Sequence, residues 1–119
     1  MRSGWGKLIG GAFALASILA VSAYPAVAQE VSALYKQHCL KCHGPEGKGD
    51  GEQLKKVKGK AVDWTNKEEM GKLTDEYLLD IILKGGGGVG KSKIMPSYKA
   101  KLKEEEAKAL AAFVRSVAK

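Results

Sequence analysis

The chain has 119 residues, 45% of them hydrophobic, and a formal charge of +7 from 20 Lys and Arg against 13 Asp and Glu. This length accommodates one small domain and no more. A net positive charge is also typical of nucleic-acid-binding proteins. Here, however, the lysines are dispersed among acidic residues and few aromatic residues cluster with them. We therefore expect acidic protein partners and no nucleic acid.

Residues 1–28 have the pattern of a secretory signal peptide. Arg2 and Lys7 precede an uncharged run over residues 8–21, and the small residues Ala26-Val27-Ala28 form a cleavage site. The alternative is an uncleaved membrane anchor, because residues 8–28 carry no charge and are long enough to cross a bilayer. We favour cleavage after Ala28, since the apolar run is short and the residues at the cut are small.

Cleavage leaves a single domain over residues 29–119, with a formal charge of +5. Export through a signal peptide predicts a periplasmic protein with no stable membrane span. An apolar core alone gives a domain of this size marginal stability.

The first half of this domain predicts one helix followed by irregular chain. Residues 31–38 have a short helical pattern, with Leu34 and Tyr35 available for the core. Four glycines and Pro45 between residues 44 and 51 predict a loop. The lysines of residues 55–60 then form a basic run, which we interpret as a solvated loop or a docking contact.

The second half predicts two further helices. Thr74 is a candidate N-cap, and the apolar stripe from Leu78 to Ile82 predicts a helix that ends near Lys84. The glycines of residues 85–90 complete no phosphate-binding pattern and predict a flexible loop. Residues 104–118 begin with acidic residues and space apolar residues at 110, 113, 114 and 117, which predicts an amphipathic helix.

The only two cysteines lie three positions apart, in the motif Cys39-Leu40-Lys41-Cys42-His43. Residues i, i+3 and i+4 share one helix face, so both thiols and the imidazole can contact the same side of one flat group. The spacing is a haem-attachment signature, with a thioether from each cysteine and His43 as iron ligand. His38 is interpreted as a solvated polar residue.

Two other interpretations of the cysteine pair have less support. Structural zinc needs a second pair of ligands, but residues 29–119 contain no other Cys and only His38 as a further His. A thioredoxin-like dithiol belongs in a βαβ unit, for which no strand pattern is visible. We therefore predict one covalently attached haem c.

The sixth iron ligand decides whether such a haem transfers electrons or binds small molecules. Met70 and Met95 are the only methionines after residue 28. We favour Met95, because a glycine-rich loop can place it over the haem and Pro96 stiffens the turn that follows. Met70 is the alternative, and most methionines are simply core residues.

The chain resembles the class I c-type cytochromes of the small bacterial monohaem type. The resemblance rests on Leu34-Tyr35, on residues 39–44, on Gly47-Lys48-Gly49, on Met95-Pro96-Ser97-Tyr98 and on residues 110–116. It implies an all-α cytochrome c fold, with three to four helices wrapped around one haem and the N- and C-terminal helices crossing. It also implies axial iron ligation by His43 and Met95, with one haem edge exposed.

Three departures from this family pattern affect specific contacts. Val31 replaces the glycine at which the terminal helices touch in many relatives, which predicts a wider or shifted crossing. Ala61 stands where relatives often have a proline whose carbonyl accepts a hydrogen bond from the haem histidine, and a carbonyl needs no proline ring. Lys103 occupies the N-cap position of the last helix, which should weaken that terminus.

These features predict an electron carrier, not an enzyme, and we expect a monomer. Lys91, Lys93, Lys99 and Lys101 flank Met95 and should steer acidic redox partners toward the haem edge. One alternative is the cytochrome subunit of a periplasmic dehydrogenase or reductase complex. Another is a protein that binds gas or peroxide at the haem, but no distal acid-base pair accompanies His38 and His43.

Overall fold

The computed structural model describes residues 24–118 and the isolated residues 6, 10, 11 and 17. Most of the predicted signal peptide lies outside these residues, so its cleavage stays a prediction. The described part is helical and contains no strand, which confirms the all-α prediction. Its helices are α1 Tyr24–His38, α2 Leu40–His43, α3 Glu52–Lys56, α4 Lys67–Gly71, α5 Asp75–Gly88 and α6 Glu104–Val117.

Helices α1 and α6 pack against each other, and aromatic side chains form part of their contact. The Tyr35 and Phe113 rings lie with their centroids 5.3 Å apart. Val31 is buried in the same core, so the contact accommodates a β-branched residue in place of glycine. Helix α1 begins seven residues before the predicted start and includes the predicted cleavage point. Pro25 is tolerated there because the first turn of a helix has unpaired N–H groups.

Helix α5 begins as predicted and then differs from the prediction at its end. The Thr74 hydroxyl accepts the Tyr77 backbone N–H at 3.1 Å, and Leu78 and Ile82 are buried. Gly85 breaks the helical path with φ 74° and ψ 172°, but helical structure continues to Gly88. The prediction of a flexible loop from residue 85 was therefore wrong for Gly85–Gly88, where helical structure resumes after the break and close backbone contacts surround Gly85 and Gly86.

Helix α6 buries a stripe of small and aliphatic residues, Ala107, Leu110, Ala111 and Val114. The predicted residues Phe113 and Val117 pack at the edge of this stripe. Lys103 provides no side-chain cap, but the Glu106 carboxylate accepts its backbone N–H at 2.7 Å. This bond satisfies the backbone donor of the N-cap residue itself, which is one half of a capping box.

Two short helices form in segments for which the sequence predicted irregular structure. Lys55 and Lys56 belong to α3, which buries Leu54, so the basic run is only partly a loop. Asn66 caps α4 by accepting the backbone N–H groups of Glu68 and Glu69 at 3.1 Å. Such local caps depend on single side chains and produce no apolar periodicity in the sequence.

Arg115 joins α6 to the ends of α4 and α5. Its guanidinium donates to the carbonyl of Met70 at 2.7 Å, to the carbonyl of Leu73, and to Asp75 Oδ1 at 2.8 Å. The arginine thus adds a charged donor to carbonyls at and just beyond the C-terminus of α4. Over the residues that the structure describes, no helix is long and apolar enough to span a bilayer.

Candidate functional site

The cysteine motif lies where α1 ends and α2 begins. The Cys39 N–H donates to the Tyr35 carbonyl at 2.8 Å, and the His43 N–H donates to the Cys39 carbonyl at 2.9 Å. Both cysteines are free and partly buried. Burial, followed by the nearby Cys42, raises the pKa of the Cys39 thiol to about 11, so this thiol is protonated at neutral pH.

A cavity of about 350 Å³ brings the predicted site residues together. Cys39, Cys42, His43 and Met95 all line it, although residue 95 is more than 50 positions from the cysteine motif. Most of the other lining side chains are apolar and come from α3, α5 and the chain around residue 94, among them Leu54, Leu78, Ile81, Ile82 and Ile94. The cavity therefore presents two thiols, an imidazole and a thioether within an apolar wall.

The His43 ring is stacked on Trp64, with the ring centroids 4.5 Å apart and the planes 25° apart. Its Nδ1 atom is buried and has no hydrogen-bond partner among the described residues. The expected hydrogen bond to the Ala61 carbonyl is thus not formed, although Ala61 lines the cavity. Burial lowers the pKa of His43 to about 4, so the imidazole is neutral and able to bind a metal at neutral pH.

Met95 and Met70 occupy different environments. Met95 is partly buried on the cavity wall, and its carbonyl accepts the Gly86 N–H at 2.9 Å. Met70 is 1% exposed in the helical core and does not line the cavity. Of the two candidate ligands, only Met95 therefore lines the cavity that His43 and the two cysteines also line.

Comparison with known proteins decides the family. The chain matches the family described as "Cytochrome C oxidase, cbb3-type, subunit III" over residues 26–114. The chain belongs to the c-type cytochromes. It is similar to the solved structure "KustC0563 c-type cytochrome", with 35% identity, a TM-score of 0.58, and coverage of 73% of this chain and 95% of that chain.

A tyrosine-to-phenylalanine variant of Kustc0563 is also similar to this cytochrome. Its identity is 32% and its TM-score 0.58, over 74% of this chain and 98% of that chain. No curated protein matches the chain. Both solved structures match nearly over their whole length, so the likeness covers a complete cytochrome domain.

The c-type cytochrome family implies a haem cofactor, and the residues of this cytochrome fit it. A haem needs a large apolar cavity and, in this family, two free thiols and an imidazole close together. The cavity provides all three, and the buried Nδ1 of His43 belongs to a neutral ring. Met95, which lines the same cavity, carries a thioether of the kind that serves as a soft iron ligand.

Two residues beside the site of this cytochrome have more contacts than the sequence indicated. His38 is partly buried and lines the cavity, with its ring 5.5 Å from Tyr98 in an edge contact, so it is only partly solvated. No role was predicted for Trp64, which is 7% exposed and stacks on His43. It is the only tryptophan after the predicted cleavage site, which was the available signal.

Charged and apolar side chains together form the rim of the cavity. Lys60 and Lys91 line it and are exposed, and Val62 and Ile94 are 39% and 44% exposed beside them. Lys93, Lys99 and Lys101 are also exposed. The rim of this cytochrome therefore combines positive charge with accessible apolar surface.

Proposed function

We propose that this cytochrome is an exported electron-transfer protein that shuttles single electrons through one covalently attached haem. Cys39 and Cys42 would form the thioethers, and His43 and Met95 would be the axial ligands. The observation that carries the proposal is that these four side chains line one apolar cavity. Bound haem supplies a reversible one-electron couple at its iron.

The chain's own residues prepare this site for fast transfer. The desolvated imidazole of His43 stays neutral, and the Met95 backbone is fixed to Gly86. Two ligands held in place in both oxidation states require little rearrangement when an electron arrives or leaves. Sulfur ligation and an apolar surrounding favour the reduced state and raise the reduction potential.

The cavity rim supports a docking role with acidic redox proteins. Lys60 and Lys91 stand at the cavity, and the apolar side chains of Val62 and Ile94 are accessible there. Positive charge accelerates the encounter with an acidic surface, and a small apolar patch allows a short-lived contact. We place this exchange in the periplasm, in accordance with the predicted signal peptide, and expect a monomeric carrier.

A second candidate function is that of a dedicated cytochrome subunit. The description of the matching family names an oxidase subunit, which favours this possibility for part of the family. A subunit would copurify with a catalytic chain at a constant ratio, whereas a free carrier would elute alone. A gas- or peroxide-binding protein would need an open coordination position on the iron, which ligation by Met95 would fill.

The optical spectrum of the oxidised holoprotein tests the proposed ligation. We expect a low-spin spectrum with a far-red sulfur-to-iron charge-transfer band, which Met95→Ala abolishes. Met70→Leu is the matched control, because it removes the other thioether at nearly constant volume and should retain the band. A high-spin wild-type spectrum, or a band that survives in Met95→Ala, would contradict the proposal.

Mass spectrometry tests attachment and processing separately. The intact mass should equal that of residues 29–119 plus one haem. Cys39→Ser and Cys42→Ser should each leave a single thioether, and the double variant should lose haem on denaturation. A wild-type protein that releases haem in denaturant would exclude covalent attachment.

A further inference from the structure

The ring of a metal-bound histidine is usually oriented by a hydrogen bond from its second nitrogen to a carboxylate, carbonyl or water. His43 lacks this bond, since its buried Nδ1 has no partner among the described residues. The Trp64 indole instead covers one face of the imidazole at a centroid distance of 4.5 Å. Stacking is therefore the contact that restricts the tilt of this ring.

Trp64 is itself held in a fixed position. Its backbone N–H donates to the Gly47 carbonyl at 2.9 Å, and the Tyr35 ring contacts it edge-on at 6.0 Å. Gly47 has φ +74°, and a Cβ atom there would lie 2.5 Å from Trp64 Cε3. A glycine thus allows the backbone to support the indole directly.

The turn around Trp64 is fixed by a neighbouring carboxylate. Asp63 Oδ1 accepts the Thr65 backbone N–H at 2.9 Å and the Thr65 hydroxyl at 2.6 Å. These two bonds form a local turn that resists rotation of the intervening peptide. The indole is consequently held in place by its own backbone, by Gly47 and by Tyr35.

We propose that Trp64 is the positioning residue that sets the orientation of the His43 imidazole, taking the place of a hydrogen bond from Nδ1. The inference rests on the proposed role of His43 as an iron ligand. A flat aromatic face restricts ring tilt without withdrawing the Nδ1 proton, so the ligand keeps the electronic character of a neutral imidazole. Ring orientation and reduction potential then depend on the aromatic face at position 64.

The test uses the oxidised holoprotein and three variants. Trp64→Phe keeps an aromatic face, and Trp64→Leu fills part of the volume without one. Phe113→Leu is the control, because Phe113 contacts Tyr35 at 5.3 Å and not His43. The readouts are the order and spread of the four haem methyl resonances, which report the orientation of the axial ligands, and the reduction potential.

We expect Trp64→Leu to reorder the methyl resonances and shift the potential, while Trp64→Phe and Phe113→Leu stay close to the wild type. An unchanged pattern in Trp64→Leu, or an equal change in Phe113→Leu, would overturn the inference. The proposed function is assessed separately by the low-spin state and far-red band of the wild type. A wild type that retains both while Trp64→Leu leaves the methyl pattern unchanged refutes only the positioning role.

A wild-type measurement keeps the inference testable if Trp64→Leu does not mature. Cross-relaxation between the indole protons of Trp64 and the ring protons of His43 should be observed in the reduced, diamagnetic protein. Its absence would overturn the inference. A strongly downfield Nδ1 proton, which indicates a hydrogen bond to a carbonyl, would overturn it as well.

Discussion

Gly86 donates its backbone N–H to the carbonyl of Met95 at 2.9 Å, so the main chain at the proposed sixth ligand is attached to the end of α5. The Gly86 carbonyl in turn accepts the N–H groups of Val89 at 3.2 Å and Lys91 at 2.8 Å. A Cβ atom at residue 86 would lie 2.0 Å from the Ser92 carbonyl oxygen. The absence of a side chain at this position therefore permits the backbone contact that positions Met95.

Gly86→Ala should displace the segment that carries Met95. The new methyl group meets a backbone oxygen that cannot rotate away, and such overpacking typically costs roughly 1–3 kcal/mol. We expect a lower urea midpoint and a weakened far-red band in the oxidised holoprotein.

Gly87→Ala is the matched control. Its Cβ would meet the side chain of Lys93 at 3.1 Å, and an exposed side chain can move aside. We expect this neighbouring variant to keep the band and the midpoint. Equal loss in both variants would show that any side chain in this glycine segment, and not the contact with Ser92, is responsible.

Arg115→Leu should destabilise the junction of three helices. It leaves the carbonyls of Met70 and Leu73 without their charged donor, and hydrogen bonds to charged groups contribute about 1.5–3 kcal/mol each to stability. We expect a loss of roughly 2–3 kcal/mol in the free energy of unfolding, measured by urea denaturation. Lys108→Gln breaks only the exposed pair with Glu104, so it should leave the urea midpoint close to that of the wild type.

Tyr35→Phe should change the response of the protein to alkaline pH. The Tyr35 hydroxyl donates to the Gly44 carbonyl. Burial, followed by the charges of Cys39 and Asp50, raises its pKa to about 12, above the ordinary value of 10.0. The folded protein therefore retains this proton where the unfolded chain loses it, and stability falls as pH rises from about 10 to about 12.

The variant removes this contribution, because phenylalanine has no proton to lose. At pH 7 we expect Tyr35→Phe to be less stable by about 1 kcal/mol, the usual value of one buried hydrogen bond. The difference between the two proteins should shrink between pH 10 and pH 12 in urea titrations. A difference that stays constant through this range would contradict the assignment.

Charge reversal at Lys91 and Lys93 should slow association with acidic redox partners. Lys91 lines the cavity and both side chains are exposed, so their charge acts where a partner would approach. We expect the double Lys→Glu variant to associate at least several-fold more slowly at low salt, with a weaker salt dependence. Stopped-flow kinetics would measure both.

Lys67→Glu with Lys108→Glu is the control for net charge. It changes the total charge by the same amount, but neither residue lines the cavity and both are exposed. Its association rate should remain near that of the wild type. Equal slowing by the two double variants would indicate that total charge, and not the cavity rim, governs association.

The sequence was informative where several residues act together. The spacing of Cys39, Cys42 and His43 predicted three groups on one helix face, and all three line the cavity. Acidic first turns and apolar periodicity predicted α5 and α6, because these signals are repeated over several turns. The preference for Met95 over Met70 as the candidate sixth ligand rested on the glycines that precede Met95.

Contacts that depend on tertiary placement could not be predicted in this way. The stacking of Trp64 on His43 joins the turn at residue 64 to the end of α2, and the two segments share no periodic pattern. The backbone path of Gly85 and Gly86 depends on the approach of Met95 and Ser92, and glycine composition alone indicates flexibility as readily as close packing. The short helix α4 depends on one asparagine cap.

The hydrogen bond from the Tyr98 hydroxyl to the His38 carbonyl, 2.8 Å long, joins residues 60 positions apart in the chain. It brings together the two ends of a long chain segment that begins beside Cys39 and ends just after Met95. The entropic cost of closing a chain segment rises only slowly with its length, since doubling a loop adds only about 0.6 kcal/mol. Insertions at residues 57–58, which are exposed, follow α3 and do not line the cavity, should therefore be tolerated, and cytochromes of different lengths can share one arrangement of the ligands.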